Sequence, residues 1–201
     1  MNDSNMIRIN FSRFVQSFDD ESDDDIKTVK EFLLGSSDEE RQSTIHENPF
    51  IFEYLPKELQ TKEIIDNEDI LSSMELFEMI DMNLLDQDIY RKAVKINREV
   101  LFHVPVELQD HEMCLSAVEI GFADMDNIRE DLYSVLLFKK LIENHPLKLD
   151  IVPERYHSPS IYKIAIEHGY EEYEKLREDM LTPLVVDLII EKNPLNIRYI
   201  P

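Results

Sequence analysis

Apolar and polar residues follow a 24-residue rhythm along most of this chain. Five markers at this constant interval set the register: Asn97, Gly121, His145, Gly169 and Asn193. Eleven residues before each marker stands a residue of the helix-capping type: Asp86, Asp110, Ser134, Ser158 and Thr182. Their side-chain oxygens can accept hydrogen bonds from the free N–H groups of a first helical turn. The pattern therefore predicts one helix between each cap and the marker that follows it.

Adjacent apolar residues occur twice in every predicted helix, four positions apart. Examples are Ile89-Tyr90 with Ala93-Val94, and Leu137-Phe138 with Leu141-Ile142. Pairs at this spacing form one broad stripe on a helix of about three turns. Gly and Asn at the markers suit a helix-terminating residue in the left-handed region. We therefore expect each helix to bury one face and to end in a tight left-handed turn.

A second apolar series follows each marker with spacings of three and four residues. In the repeat after Asn97 it consists of Leu101, Val104 and Leu108. This spacing predicts a second, shorter helix. Each repeat is then a helix, a tight turn and a short helix.

Two types of repeat alternate. Pro105, Pro153 and Pro201 recur in every second repeat, whereas the intervening repeats carry NIREDL (127–132) and KLREDM (175–180). Toward the N-terminus, NPFIFEYLPKEL (48–59) is a further proline-type repeat, which a capping box of Ser37 and Glu40 would open.

One degenerate repeat stands between that proline-type repeat and Asn97, and Thr61 is its predicted cap. There Glu68 and Asp69 occupy positions that are apolar elsewhere in the series. We therefore expect a distorted or lengthened helix near residues 66–74.

The fold predicted from this pattern is all-α. It is an α-solenoid of about seven 24-residue helix-turn-helix repeats in two alternating types over residues 37–201, because a single hairpin cannot bury its apolar face alone. Residues 1–36 form a separate acidic segment with a capping helix, which Asp25 begins and Gly35 ends. Ile7, Ile9 and Phe11 alternate as in a strand or a covering strip. The last repeat stops at its proline, so its edge is predicted to be open to a partner or a second copy.

The phrase IYRKAVKINREVLFHVPVELQD (89–110) combines a helix that ends in Asn, an aliphatic stretch and a short polar helix. It resembles a family of short tandem helical repeats, catalogued as a domain of unknown function, from large DNA viruses and some intracellular bacteria. The resemblance covers roughly residues 37–201. It implies a scaffold and no particular chemistry.

The chain carries 21 basic and 43 acidic residues, a formal net charge of −22. Binding to nucleic acid or anionic membrane requires Lys and Arg that neutralise phosphate, so neither is an expected partner. The charge predicts a protein partner with a basic surface, whose encounter it would accelerate. Solubility alone is the alternative explanation.

Few residues suggest catalysis or metal binding. The single Cys114 excludes an internal disulfide framework and a Cys-based zinc site. HEMCL (111–115) has Leu115 where a zinc-protease helix needs its second His. LPKEL (55–59) resembles the opening of an F-box, but VPVEL and VPERY occupy the same repeat position. We predict no enzyme activity, no cofactor and no metal.

The predicted function is a non-enzymatic protein-binding scaffold, and a viral or effector protein that acts on a host protein in the cytoplasm is one form of this hypothesis. No run approaches the ~18 apolar residues of a membrane span, and the N-terminus has no apolar leader core. The alternative is an acidic nucleic-acid mimic that inhibits a DNA- or RNA-binding enzyme. A regulatory module of a larger assembly is a third hypothesis.

The sequence also yields candidate contacts. A homo-oligomer through the open C-terminal repeat is one hypothesis. The candidate partner-binding residues are Asp19, Asp20, Glu21, Asp23, Asp24, Asp25, Arg129, Glu130, Asp131, Arg177, Glu178 and Asp179. For the last six, a purely structural role is the competing interpretation.

Overall fold

The computed structural model describes the backbone of residues 23–200 and the side chains of residues 26–200. Every regular element in that range is an α-helix or a 3-10 helix, which confirms the all-α class. The chain divides into an N-terminal half, Met1–Ile89, and a C-terminal half, Tyr90–Pro201. The predicted alternation of Ile7, Ile9 and Phe11 lies outside the described residues. A division at residues 36 and 37 stays a prediction.

The described part of the N-terminal half holds short helices. The α-helices are α1 (Asp23–Gly35), α2 (Asp38–Glu47), α3 (Lys62–Ile65), α4 (Glu68–Ser72) and α5 (Met74–Glu78), and α6 (Gln87–Ile96) begins at its end. The 3-10 helices are Pro49–Tyr54, Lys57–Leu59 and Met82–Leu84. Helix α1 ends at Gly35 as predicted but begins two residues before the predicted cap Asp25, and it buries Val29 and Leu33.

Three capping predictions for this half are confirmed, those for Ser37, Thr61 and Asp86. Ser37 Oγ accepts from the Glu40 amide at 3.3 Å, and the Ser37 amide donates to Glu40 Oε2 at 3.0 Å. The backbone and side-chain hydrogen bonds from Ser37 lower the pKa of the Glu40 carboxyl. Thr61 caps α3 and Asp86 caps α6, because Asp86 Oδ1 accepts from the Ile89 amide at 3.0 Å.

The expected distortion near residues 66–74 is present as two breaks. The helix that Thr61 begins stops at Ile65, and Asn67 Oδ1 then caps a new helix by accepting from the Asp69 amide at 2.9 Å. A third helix begins after Ser73. Glu68 and Asp69 therefore occupy the exposed first turn of α4. There the positive end of the helix dipole interacts favourably with their carboxylates.

The C-terminal half repeats one order of elements. Its α-helices are α7 (His111–Glu119), α8 (Val135–Asn144), α9 (Pro159–Glu167) and α10 (Pro183–Lys192). The 3-10 helices occur in pairs, Arg98–His103 with Val106–Leu108, Met125–Asn127 with Glu130–Leu132, Pro146–Ile151 with Glu154–Tyr156, and Tyr173–Lys175 with Glu178–Met180, and Pro194–Tyr199 follows α10. Successive α-helices from α7 to α10 contact one another.

All four predicted caps of these helices are confirmed. Asp110, Ser134, Ser158 and Thr182 each accept from the backbone N–H three residues later, at 2.9, 3.1, 3.4 and 3.5 Å. The predicted apolar stripes of α7, α8 and α9 are buried as well, and in α8 the stripe consists of Leu137, Phe138, Leu141 and Ile142. In α10 only Val185 and Ile189 of the stripe are buried. These stripes form the core of the C-terminal half.

The predicted second, shorter helix is present as two 3-10 helices in place of one continuous helix. In the repeat after Asn97, Val104 is extended (φ −73°, ψ 119°) and Pro105 follows it. A residue before proline is driven out of the helical region, which separates the two turns. The three-residue spacing of Leu101 and Val104 matches the three residues per turn of a 3-10 helix.

The left-handed turn is confirmed only at the glycine markers. Gly121 and Gly169 have φ of +96° and +109°, and the residue after each donates to a carbonyl five residues earlier, as in a Schellman motif. Asn97 and Asn193 instead have φ of −132° and −161°, so the prediction is wrong for them. Each uses its side-chain oxygen to cap the following 3-10 helix, which removes the need for a left-handed residue.

Gly121→Ala and Gly169→Ala are each expected to lower the free energy of unfolding by about 1–2 kcal/mol, because a Cβ is strained at these dihedral angles. Gly121→Ala should have the larger effect, since its Cβ would stand 3.0 Å from Arg98 NH1, whereas nothing lies within 4 Å at Gly169. Chemical denaturation followed by circular dichroism measures both. Gly35→Ala is the matched control, because Gly35 has no positive φ and no neighbour within 4 Å. Equal losses at all three sites would contradict the assignment.

Candidate functional site

Exposed carboxylates recur on the second 3-10 turn of four consecutive repeats in the C-terminal half. These turns begin at Val106, Glu130, Glu154 and Glu178, one after each α-helix-and-turn segment. We call their exposed acids the acidic ridge; its members are Glu107, Glu130, Asp131, Glu154, Glu178 and Asp179. Four predicted partner-binding residues belong to this ridge.

Two arginines form matching clamps at the start of these turns. Arg177 donates from Nε and NH2 to the two carboxylate oxygens of Asp179, at 3.0 and 2.9 Å. Arg129 and Asp131, two repeats earlier, make the same two-point contact. These hydrogen bonds lower the pKa values of Asp131 and Asp179 and raise those of both arginines. The recurrence of the REDL and REDM phrases thus has a local structural reason.

Three arginines, Arg129, Arg155 and Arg177, lie among the ridge acids, and each contacts the preceding repeat. Arg129 NH1 donates to the Val106 carbonyl at 3.3 Å. Arg155 NH2 lies 3.8 Å from Glu130 Oε2, and Arg177 NH1 lies 3.7 Å from Glu154 Oε2. The exposed pairs stabilise little, because water screens them. These contacts instead connect consecutive turns, so that the turns form one continuous ridge.

The ridge keeps a surplus of negative charge after this pairing. Its three arginines are engaged with Glu130, Asp131, Glu154 and Asp179. Glu107 and Glu178 make no ion pair within 4 Å in the part of the chain that the structure describes. Six carboxylates against three guanidinium groups leave a net charge of −3 on this surface. It can attract cationic side chains without displacing an internal bond at those two positions.

Buried glutamines hold the repeats in register, and the sequence analysis did not identify them. Gln109 Nε2 donates to the Asn127 carbonyl at 2.9 Å, and its Oε1 accepts from the Arg129 amide at 3.4 Å. In the N-terminal half, Gln60 bridges the Met79 carbonyl and the Asp81 amide in the same way, at 3.1 and 2.7 Å. The phrases PKELQ and PVELQ, which end on these two glutamines, carry the signal that could have revealed them.

A tyrosine replaces glutamine in the repeat that follows Pro153. The hydroxyl of Tyr162 accepts from the Arg177 amide at 3.3 Å, at the position equivalent to the Arg129 amide. Its other partner is His157 Nδ1 at 3.0 Å, and His157 Nε2 lies 2.8 Å from the Val152 carbonyl. Because a carbonyl only accepts, Nε2 carries the proton and Nδ1 accepts from the tyrosine. The ridge turn at Arg177 is therefore fixed from the core, as the turn at Arg129 is.

The remaining predicted residues belong to the N-terminal acidic block. Asp19, Asp20 and Glu21 lie outside the described residues. Asp23, Asp24 and Asp25 are the first three residues of α1. These three residues belong to the N-terminal half, whereas the ridge belongs to the C-terminal half.

The N-terminal half contains a shallow cleft. It has a volume of about 430 Å³ and lies between α2 and the region from α3 to Asn67. His46 Nδ1 stands 3.5 Å from Asn67 Nδ2 there, and the lining residues are Glu39, Gln42, Ser43, His46, Glu63, Ile64, Asp66 and Asn67. Among the side chains of residues 26–200, no three from His, Cys, Asp or Glu are placed to hold a metal ion.

The thiol of Cys114 is structural. It lies fully buried on α7, and burial raises its pKa to about 12. A thiol of that pKa is almost entirely protonated at neutral pH and is a poor nucleophile. It therefore behaves as a small apolar core residue.

Comparison with known proteins adds no assignment. No protein-family model matches the chain, and neither a curated protein nor a solved structure shows a significant match. Within the described residues, no helix combines the length and the apolar character that crossing a membrane requires.

Proposed function

We propose that this protein is a non-enzymatic helical-repeat scaffold that binds the basic surface of a partner protein along its acidic ridge. The observation that carries the proposal is the recurrence of one carboxylate-bearing turn per repeat, at a fixed position, from Glu107 to Asp179. A solenoid of about seven repeats, related to the viral and bacterial repeat family, is part of this proposal. Such arrays offer extended surfaces for binding.

The geometry of the ridge suits a partner with regularly spaced cations. Packed helices lie about 8–10 Å apart, and α7 to α10 contact each other in succession. Three residues of a polyproline II segment rise about 9 Å and complete one turn, so every third side chain lies on the same side. A segment with Lys or Arg at every third position can therefore place one cation opposite each turn. The field of the surplus carboxylates would accelerate the encounter.

Interleaved arginines favour a scaffold over a nucleic-acid mimic. A mimic needs rows of like charge that replace the phosphates of a duplex. In the ridge, Arg129, Arg155 and Arg177 alternate with the carboxylates and engage them. The mixed signs suit a protein surface that also carries both signs.

Neutralising the two unpaired ridge carboxylates tests the proposal. The double variant Glu107→Gln/Glu178→Gln should lose about 5- to 30-fold in affinity for a fluorescent peptide with lysine at every third residue, since each screened contact contributes about 0.5–1 kcal/mol. Fluorescence anisotropy at low ionic strength measures the affinity. Binding of the unaltered chain should weaken steadily as salt is added.

The matched control is Glu171→Gln/Glu174→Gln, which removes the same charge from exposed residues outside the ridge. It should bind the peptide within about twofold of the unaltered chain. If both double variants lose affinity equally, the net charge and not the ridge determines binding, and the proposal is wrong. Absence of peptide binding by the unaltered chain would also contradict it.

A further inference from the structure

The cleft of the N-terminal half has a carboxylate on each of its two sides. Glu39 on α2 and Glu63 on α3 line it, and both residues are exposed. Neither has an ion-pair partner among the described residues. The cleft volume of about 430 Å³ lies within the range of about 300–1,000 Å³ that is usual for sites of small organic groups. Like charges that line a concave surface reinforce each other's potential, so the cleft favours a cation.

The same cleft contains a buried amide with unused hydrogen-bonding capacity. Asn67 is only 8% exposed, and its Oδ1 caps α4 by accepting from the Asp69 and Ile70 amides at 2.9 and 3.4 Å. Its Nδ2 carries two hydrogens but makes one contact within the described chain, at 3.5 Å to His46 Nδ1. One N–H of a side chain that is more than nine-tenths buried therefore lacks an acceptor. Such a group costs free energy until an acceptor reaches it.

His46 adds a second donor beside this amide. Because an amide nitrogen only donates, His46 Nδ1 accepts from Asn67, and Nε2 carries the proton of the neutral ring. The Asn67 N–H and the His46 Nε2–H together suit a carbonyl oxygen, which has two lone pairs. Asp66 lines the cleft next to Asn67, and its negative charge disfavours a carboxylate there. This end of the cleft therefore favours a neutral carbonyl.

The acidic groups and the donor pair lie at different points along the cleft. Glu39 and His46 are seven residues apart on α2, which is about 10 Å along the helix. Among the described side chains, no three acids or histidines converge to hold a metal ion. A guanidinium group donates from five N–H groups in several directions, so it can reach carboxylates on both sides of the cleft. An extended arginine residue separates its guanidinium from its backbone carbonyl by a comparable length.

We propose that the cleft binds an arginine residue of a peptide, with its guanidinium between Glu39 and Glu63 and its backbone carbonyl at His46 and Asn67. The cleft lies in the N-terminal half and shares no residue with the acidic ridge of the C-terminal half. This second binding site therefore does not depend on the function proposed for the ridge.

NMR titration of the full chain, labelled with ¹⁵N, tests the site with N-acetyl-arginine amide as the probe. The side-chain NH₂ signals of Asn67 should shift and saturate with a dissociation constant of about 1 mM, since a few screened contacts give weak binding. N-acetyl-citrulline amide has the same shape without the positive charge, and it should bind at least about tenfold more weakly. N-acetyl-arginine carries a free carboxylate in place of the amide. It should also bind more weakly, because Asp66 repels it.

Removing the two carboxylates tests the cationic end of the cleft. Glu39→Gln/Glu63→Gln should weaken binding of N-acetyl-arginine amide about 5- to 30-fold, and its helical circular dichroism should be unchanged because both residues are exposed. The matched control is Glu53→Gln/Glu58→Gln, which removes the same charge from exposed residues of the same half outside the cleft. This control should bind within about twofold of the unaltered chain.

Asn67→Ser tests the donor end. Serine keeps an oxygen that can cap α4 but removes the amide N–H. This variant should bind N-acetyl-arginine amide about 2- to 10-fold more weakly, as followed at the backbone amides of His46 and Glu63. Unchanged binding in a folded Asn67→Ser variant would overturn the placement of the carbonyl.

The remaining outcomes separate this proposal from the one for the ridge. Glu107→Gln/Glu178→Gln should bind N-acetyl-arginine amide like the unaltered chain, so the two sites can fail independently. No shift of the Asn67 side-chain signals would overturn the arginine site, as would equal weakening by the two double variants in the N-terminal half. Equally tight binding of N-acetyl-citrulline amide or N-acetyl-lysine amide would overturn the assignment of the guanidinium. Equally tight binding of N-acetyl-arginine would overturn the assignment of a neutral carbonyl.

Discussion

Phe138→Ala is expected to lower the free energy of unfolding of the C-terminal half by about 3–5 kcal/mol. Phe138 lies on α8 with no solvent exposure. Its ring packs between Tyr133 and Tyr156, with centroids 5.2 and 4.8 Å away. Truncation removes this aromatic contact and leaves a cavity, because neighbouring repeats hold the surrounding side chains in place. Urea denaturation monitored by circular dichroism gives the change.

The matched control for this experiment is Leu136→Ala on the same helix. Leu136 is 48% exposed, so its loss should change the free energy of unfolding by no more than about 0.5 kcal/mol. The pair tests the register, because residues two apart on one helix occupy opposite sides of it, and Leu136 is exposed whereas Phe138 is buried. A larger loss from Leu136→Ala than from Phe138→Ala would mean that the predicted apolar stripe is misplaced.

The α-helices were predictable because their signals are local. A cap such as Ser134 and the stripe that contains Phe138 lie within one helix, and capping needs only the three residues that follow. Repetition strengthened each weak signal, since the same pattern returns in every repeat. Even the break at Asn67 was visible as two carboxylates, Glu68 and Asp69, in apolar positions.

The connecting segments were predicted less well, because their apolar spacing fits two kinds of helix. Leu101 and Val104 are three residues apart, which suits either an α-helix or a 3-10 helix. The choice depends on Pro105 and on the caps that Asn97 supplies. Asn also serves both as a left-handed residue and as a side-chain cap, and the structure selects the second role.

The contacts across repeats could not be predicted from one repeat alone. The competing interpretation of Arg129 and Arg177 as structural residues was left open by the sequence. The structure places both in clamps and links across repeats. These contacts hold the ridge turns in place. They do not prevent a partner from binding, because the linked carboxylates Glu130 and Glu154 are still exposed. Net charge gives the sign of a surface but not its arrangement.

Gln109→Met should lower the free energy of unfolding of the C-terminal half by about 2 kcal/mol, because an unsatisfied buried polar group costs about 1–3 kcal/mol. Methionine has a similar volume, so packing is kept while two hydrogen bonds are lost. The Asn127 carbonyl and the Arg129 amide then have no side-chain partner. Gln60→Met should have a comparable effect on the N-terminal half, because Gln60 makes the equivalent pair of bonds. Urea denaturation measures both changes.

Hydrogen exchange at the Arg129 amide distinguishes loss of these bonds from a general loss of packing. In Gln109→Met this amide should exchange about 30-fold faster, which corresponds to about 2 kcal/mol of local opening free energy. Gln109→Glu is the matched variant, because its carboxylate still accepts from the amide but cannot donate to the Asn127 carbonyl. It should retain protection at Arg129 while it still destabilises the fold. If both variants lose that protection equally, the side chain acts through its volume and not through its hydrogen bonds.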